Sequence, residues 1–232
     1  MNILNIFRTK KADTTAITKQ SLLERFGGIA LDKQSNLAEI IGDRNWSADT
    51  EKGEIRFGDD LAFPMQVLGT FSHSSETWLW AWANPQAAFS QHVLTQANDL
   101  KKYGDELSID FLTTEKFDAT MNDAHIIGMI ASGFFKTSCY YVGDFGDGAV
   151  VVTIRDKAID NIPSIDKARI PATFSRLISH FEMNHKNAFI CYLKEKDFVV
   201  EADGGNTVTG IKGKDKITAT FDELSRLTNL KA

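Results

Sequence analysis

Cysteine is scarce in this chain: Cys139 and Cys191 are the only two in 232 residues. Two thiols build no disulfide framework at this size, and without a CxxC spacing they offer no zinc or dithiol site. Proline is equally sparse, four in all, and there is no repeat or low-complexity run; DNIPS, near 160, is the best linker-like stretch. A basic excess is missing too. The 26 Lys and Arg stand against 31 Asp and Glu, a net charge of −5 that argues against the positive surface supplying most nucleic-acid affinity. No apolar run approaches the roughly 18 residues of a membrane span. The opening MNILNIFRTKK places its positive charges after its apolar residues, the reverse of a secretory signal, and residues 1–13 are read as a flexible N-terminus. These absences predict a cytoplasmic chain with free thiols, no membrane span and no nucleic-acid partner.

Chemical signatures are missing as well. There is no GxSxG elbow, Walker loop or dinucleotide fingerprint. GDFGDG at 143–148 contains the letters of a kinase magnesium tripeptide, but no HRD loop or glycine-rich lysine motif precedes it, and the acidic spacing of a calcium loop is absent. It is read as a hairpin turn. In HFEMNH, His180 and His185 are five apart, about 140° around a helix, where a zinc pair needs four. His125 lies among apolar residues and is read as a core or boundary histidine. Ser72, Ser74 and Ser75 beside His73 lack a specified orienting acid and are read as turn hydroxyls. No catalytic residue, metal site or cofactor is expected.

What is present is a soluble composition, 43% hydrophobic and 25% charged, with clear periodicities. Apolar residues from Ile17 to Ile41 recur at helical spacing, interrupted at Gly27 and Gly28, and predict one broken helix or two short ones over 14–43. Strands are expected at about 54–58, 63–71 and 76–83. Asn84 and Pro85 then read as the N-cap and first residue of a helix carrying Phe89, Val93, Ala97 and Leu100 and closed by Gly104. A second helix is expected over about 114–135, a hairpin over 136–156 and a helix over 166–186. Strands follow near 188–193, 197–203, 206–212 and 215–219, and Thr220 with Glu223 reads as the capping box of a last helix. Grouped strands and grouped helices define an α+β fold with an antiparallel sheet, in the order α-βββ-αα-ββ-α plus a mostly β C-terminal extension. The main domain is placed at 14–160 and the extension, packed on it, at 161–232.

The densest signal is SETWLWAWANP, which holds three of the four tryptophans. On a strand Trp78, Trp80 and Trp82 share one face. A four-residue HSSE loop sets them opposite Phe71, Gly69 and Val67, a core face on which Gly69 leaves room for the Trp80 indole. A three-residue loop slips the register and sets them opposite Thr70, Leu68 and Gln66, a half-polar groove. The longer loop fits Ser and His better, because the shorter one favours a glycine that is absent. Leu79, Ala81 and Ala83 make the other face apolar, to be covered by the helix beginning at Asn84.

LGTFSHSSETWLWAWANP, the segment Pro85 to Gly104 and the hairpin after Phe134 resemble a bacterial family of unknown function over about 20–156. The resemblance implies a shared cytoplasmic fold and brings no activity or site residue with it. The element order is also similar to that of type III secretion chaperones, an analogy of topology alone. The resulting expectation is a non-catalytic protein that binds another protein or itself as a homodimer, such as an immunity or chaperone-like partner of a toxin or secreted effector. The alternative is a small-molecule binder or hydrolase with an aromatic groove of Trp78, Trp80 and Trp82, and with Gln66 and Asn84 as polar anchors.

Overall fold

The computed structural model describes residues 17–163, 165–202 and 204–232. The predicted flexible terminus, 1–13, lies outside them. The first element is one unbroken helix, α1 (Lys19–Ile41), opened by a reciprocal capping box between Thr18 and Ser21. Gly27 and Gly28 do not interrupt it. A helical glycine costs about 1 kcal/mol relative to alanine, and here the missing Cβ serves close packing. On Gly28 a Cβ would fall 2.5 Å from Cγ of Tyr192, and on Gly27 it would fall 3.1 Å from Leu177. Residues of α1 enter three core clusters: Leu22 and Phe26 the first, Leu23 and Ala30 the second, Leu37 the third.

The architecture is α+β with antiparallel pairing. The larger sheet runs β1 (Trp46–Asp49), β2 (Glu54–Phe57), β3 (Leu61–Ser72), β4 (Thr77–Trp80) and β5 (Lys116–Asp118). The hairpin of β6 (Cys139–Asp144) and β7 (Gly148–Ile154) joins it through β7, which also pairs with β3. Two members were not anticipated. WSAD forms β1 against β2, and β5 stands where the second helix was expected to begin. That helix, α4 (Met121–Phe135), starts later because Thr120 and Asp123 close a capping box there, leaving Phe117 free to pair with Trp78. Between β4 and β5 lie α2 (Thr95–Leu107) and the short α3 (Asp110–Thr113).

After β7 and the single turn α5 (Lys157–Asp160), the extension holds α6 (Asp166–His180), α7 (His185–Glu195) and a four-stranded sheet in the order β11-β10-β9-β8. Its strands are β8 (Val199–Ala202), β9 (Thr207–Lys212), β10 (Asp215–Phe221) and β11 (Leu227–Lys231). Two expectations are corrected here. Residues 188–193 are helical, with Ala188, Phe189, Tyr192 and Leu193 forming a buried stripe at helical spacing. FDELSRL is a turn leading into β11: the Asp222 carboxylate accepts from the amides of Leu224 and Arg226, so no helix starts at Thr220.

A buried polar network ties the extension to α1. Asp32, 4% exposed, accepts from the Tyr192 hydroxyl at 2.9 Å, from Lys196 at 2.8 Å and from the Arg169 Nε at 3.1 Å. Lys196 also meets Asp166 at 2.7 Å, and Lys212 meets the same carboxylate at 3.0 Å. Burial raises the Asp166 pKa, but hydrogen bonds from Lys196 and Lys212 outweigh it and hold that carboxyl below its ordinary value. Burial lowers that of Lys196, and its two carboxylate partners outweigh this and raise it.

Candidate functional site

The β3–β4 hairpin has the four-residue loop, His73–Glu76, with Ser72 opposite Thr77, Phe71 opposite Trp78 and Gly69 opposite Trp80. Trp78 and Trp80 consequently face the core. Both are fully buried, edge to face at 5.4 Å, and the Trp80 Nε1 donates to the Phe111 carbonyl at 3.0 Å. The indole accommodated by Gly69 is that of Trp78, not Trp80: a Cβ at Gly69 would lie 2.4 Å from Trp78 Cζ2. Trp82 leaves the strand, because Ala81–Ala83 turn into a 3-10 helix. The β3–β4 pairing ends at Trp80, so Trp82 is not set opposite Val67 in the ladder; its half-buried ring lies 5.2 Å from the Lys101 ammonium.

The two polar anchors serve the backbone. Gln66 donates to the His92 carbonyl at 2.8 Å and accepts from the Gln96 amide at 3.3 Å, satisfying a first-turn N–H of α2 that Leu94, its N-cap, does not. Asn84 caps only the 3-10 turn Pro85–Ala87, by accepting from Ala87, and Ala88 then adopts φ 47. The helix expected from Pro85 therefore begins at Thr95. A groove around Trp80 is closed by the core, and Gln66 and Asn84 are occupied in holding the chain.

That late start has a consequence on the opposite face of the sheet. Leu79, Thr70, Val150 and Gly143 form one row across β4, β3, β7 and β6. Among the described residues no helix lines the groove there, and the segment from Pro85 to Leu94 contributes Phe89 alone. Trp46 lies on Gly143, where a Cβ would fall 2.6 Å from its ring. Between Trp46, Phe89 and Phe145 is an open groove of about 500 Å³, floored by Thr70 and Val150 and edged by Asp144. Phe145, at the tip of the β6–β7 hairpin, is 57% exposed. The fold has an aromatic groove, on the sheet face opposite that of Trp78 and Trp80. Its sequence signal was the Phe inside GDFGDG, a large apolar residue amid turn formers.

At its rim His73 Nε2 meets Asp144 Oδ2 at 3.0 Å, so the turn histidine does have an acid partner. The Gly146 amide and then His73 hold the Asp144 carboxyl below its ordinary value. The turn hydroxyls bond one another, Ser72 with Ser74 and Ser75 with Thr77. His180 and His185 end and begin different helices, and His185 accepts from the Leu227 amide. Among the described residues no three His, Cys, Asp or Glu side chains cluster as a metal site would need, and no helix is long and apolar enough to cross a membrane.

No curated protein and no solved structure matches the chain. The groove, the tryptophan hairpin, α2 and α4 fall within residues 20–157, and α6, α7 and the smaller sheet fall outside. Over those residues, more than half its length, the chain matches the model of a family of unknown function, DUF6882, and it belongs to that family.

Proposed function

We propose that the protein is a non-catalytic binding protein of the bacterial cytoplasm that holds another protein on the open face of its larger sheet, as an immunity or chaperone-like partner of a toxin or secreted effector would. The observation that carries this reading is the exposed Phe145 beside Trp46 and Phe89. Aromatic side chains left in solvent around a groove are the anchors protein interfaces use. Asp144 edges this one on a chain of net charge −5, so the complementary partner presents an apolar side chain flanked by Lys or Arg.

The test uses the full chain as bait, with genomic neighbours co-expressed in the native host, and compares it with Phe145→Ala. The expected result is one stoichiometric partner, bound at least about tenfold more weakly by the variant. The melting temperature should be unchanged, because the ring contributes little buried area. No partner, or one bound equally by both proteins, overturns the reading. A concentration-dependent dimer abolished by the same substitution would make the occupant a second copy of this chain.

A further inference from the structure

A second groove lies on the seam between the family region and the extension. It has a volume of about 460 Å³, within the range of small-molecule sites. Its inner wall is built by Gln34 of α1, His125 of α4 and Tyr140 of β6. Gly128, one turn after His125, makes this possible, because a Cβ there would lie 2.4 Å from the Tyr140 ring. The Tyr140 hydroxyl is 3.3 Å from His125 Nδ1, and the Gln34 Oε1 in the same wall is buried without a hydrogen-bond partner. Burial alone lowers the His125 pKa, which favours the neutral ring.

The extension supplies the outer wall. Arg176 is pinned at the rim by the Leu31 carbonyl at 3.2 Å and by Ser35 at 3.3 Å, and the His180 Nδ1 lies 2.9 Å from the Arg176 carbonyl. Phe181 follows, and Ala38 and Ile41 of α1 complete an apolar flank. Among the described residues no carboxylate lines this groove, although acidic residues outnumber basic ones in the chain. A guanidinium at one end, an apolar flank and hydrogen-bonding groups between them match a small carboxylate on an apolar body.

We infer that this seam is a binding site for an amphiphilic carboxylate, completed by the extension through Arg176. The probe is octanoate, titrated into the full chain by calorimetry and by NMR of its labelled histidines, with octanol as the uncharged control. Expected are saturable octanoate binding at least about tenfold tighter than octanol, and shifts of the His125 and His180 signals with His73 and His92 unmoved. Arg176→Gln should weaken octanoate about tenfold and leave octanol unchanged, while Arg176→Lys restores part of the loss. Equal affinity for octanoate and octanol, unmoved His125 and His180 signals, or full octanoate affinity in a folded Arg176→Gln protein would each overturn the assignment. Should that variant not fold, the wild-type histidine titration and the octanol comparison decide alone.

Discussion

Gly69 shows how one atom sets the register of the tryptophan hairpin. A strand glycine ordinarily costs about 0.5–1 kcal/mol relative to alanine. At this site a Cβ would meet Trp78 Cζ2 at 2.4 Å and the Leu79 carbonyl at 2.5 Å, and backbone cannot step aside. The steric term wins, so Gly69→Ala should destabilise the protein by about 3 kcal/mol, the upper part of the overpacking range. A urea midpoint that rises, or stays within error, would show that Trp78 repacks freely. The pairing of Gly69 with an indole was legible in the alternation of the sequence. Which indole was not, because cross-strand partnership places Trp80 beside Gly69 while ring rotamers decide whose edge covers it.

At the scale of elements, α2 illustrates a helix whose start is chosen from outside. Asn84 and Pro85 carry the local start signal and form only a 3-10 turn. The true first turn has no side-chain cap of its own and takes one from Gln66 on β3, thirty residues earlier. Gln66→Ala should therefore cost about 1 kcal/mol, as losing a cap does, and should speed hydrogen exchange at the Gln96 amide. An unchanged exchange rate there would mean that solvent replaces the cap fully. Local spacing is an uneven guide to caps: Thr120 and Asp123 form a capping box at the spacing that Thr220 and Glu223 share without starting a helix. Caps held across segments were not readable, because nothing local to 94–96 announces them.

For the molecule as a whole, α1 and the Asp32 network bind the family region to the extension. Removing the carboxylate leaves Arg169 and Lys196 short of a buried partner, so Asp32→Ala should cost about 3–5 kcal/mol. Smaller losses in a urea titration would indicate that water enters and resolvates the cations. The network also sets a pH window. Asp166 has a depressed folded pKa, so its contribution is present above about pH 4, the unfolded carboxylate value, and is lost as pH falls through the folded one. Lys196 has a raised folded pKa; its contribution is full below about pH 10 and is lost as pH rises through the folded value. Stability measured across pH should be flat between these limits for this network, with an acid limb that shallows in Asp166→Asn.

The sequence by itself determined the α+β class and the antiparallel β3–β4 and β6–β7 hairpins, and it left two registers for the tryptophans, of which the fold takes the one that buries Trp78 and Trp80. Period-two alternation and turn chemistry are local, and they act before the chain meets itself. Tertiary structure decided the rest: that Gly27 and Gly28 hold α1 against Leu177 and Tyr192 instead of breaking it, and that 188–193 is helical. It also decided that the helix after Asn84 waits until Thr95. Each of these depends on a partner distant in sequence, and the energy of burying a face against that partner exceeds the few tenths of a kcal/mol by which local propensities differ. The same contest moved the aromatic groove, since the face left uncovered by the delayed helix became the open one.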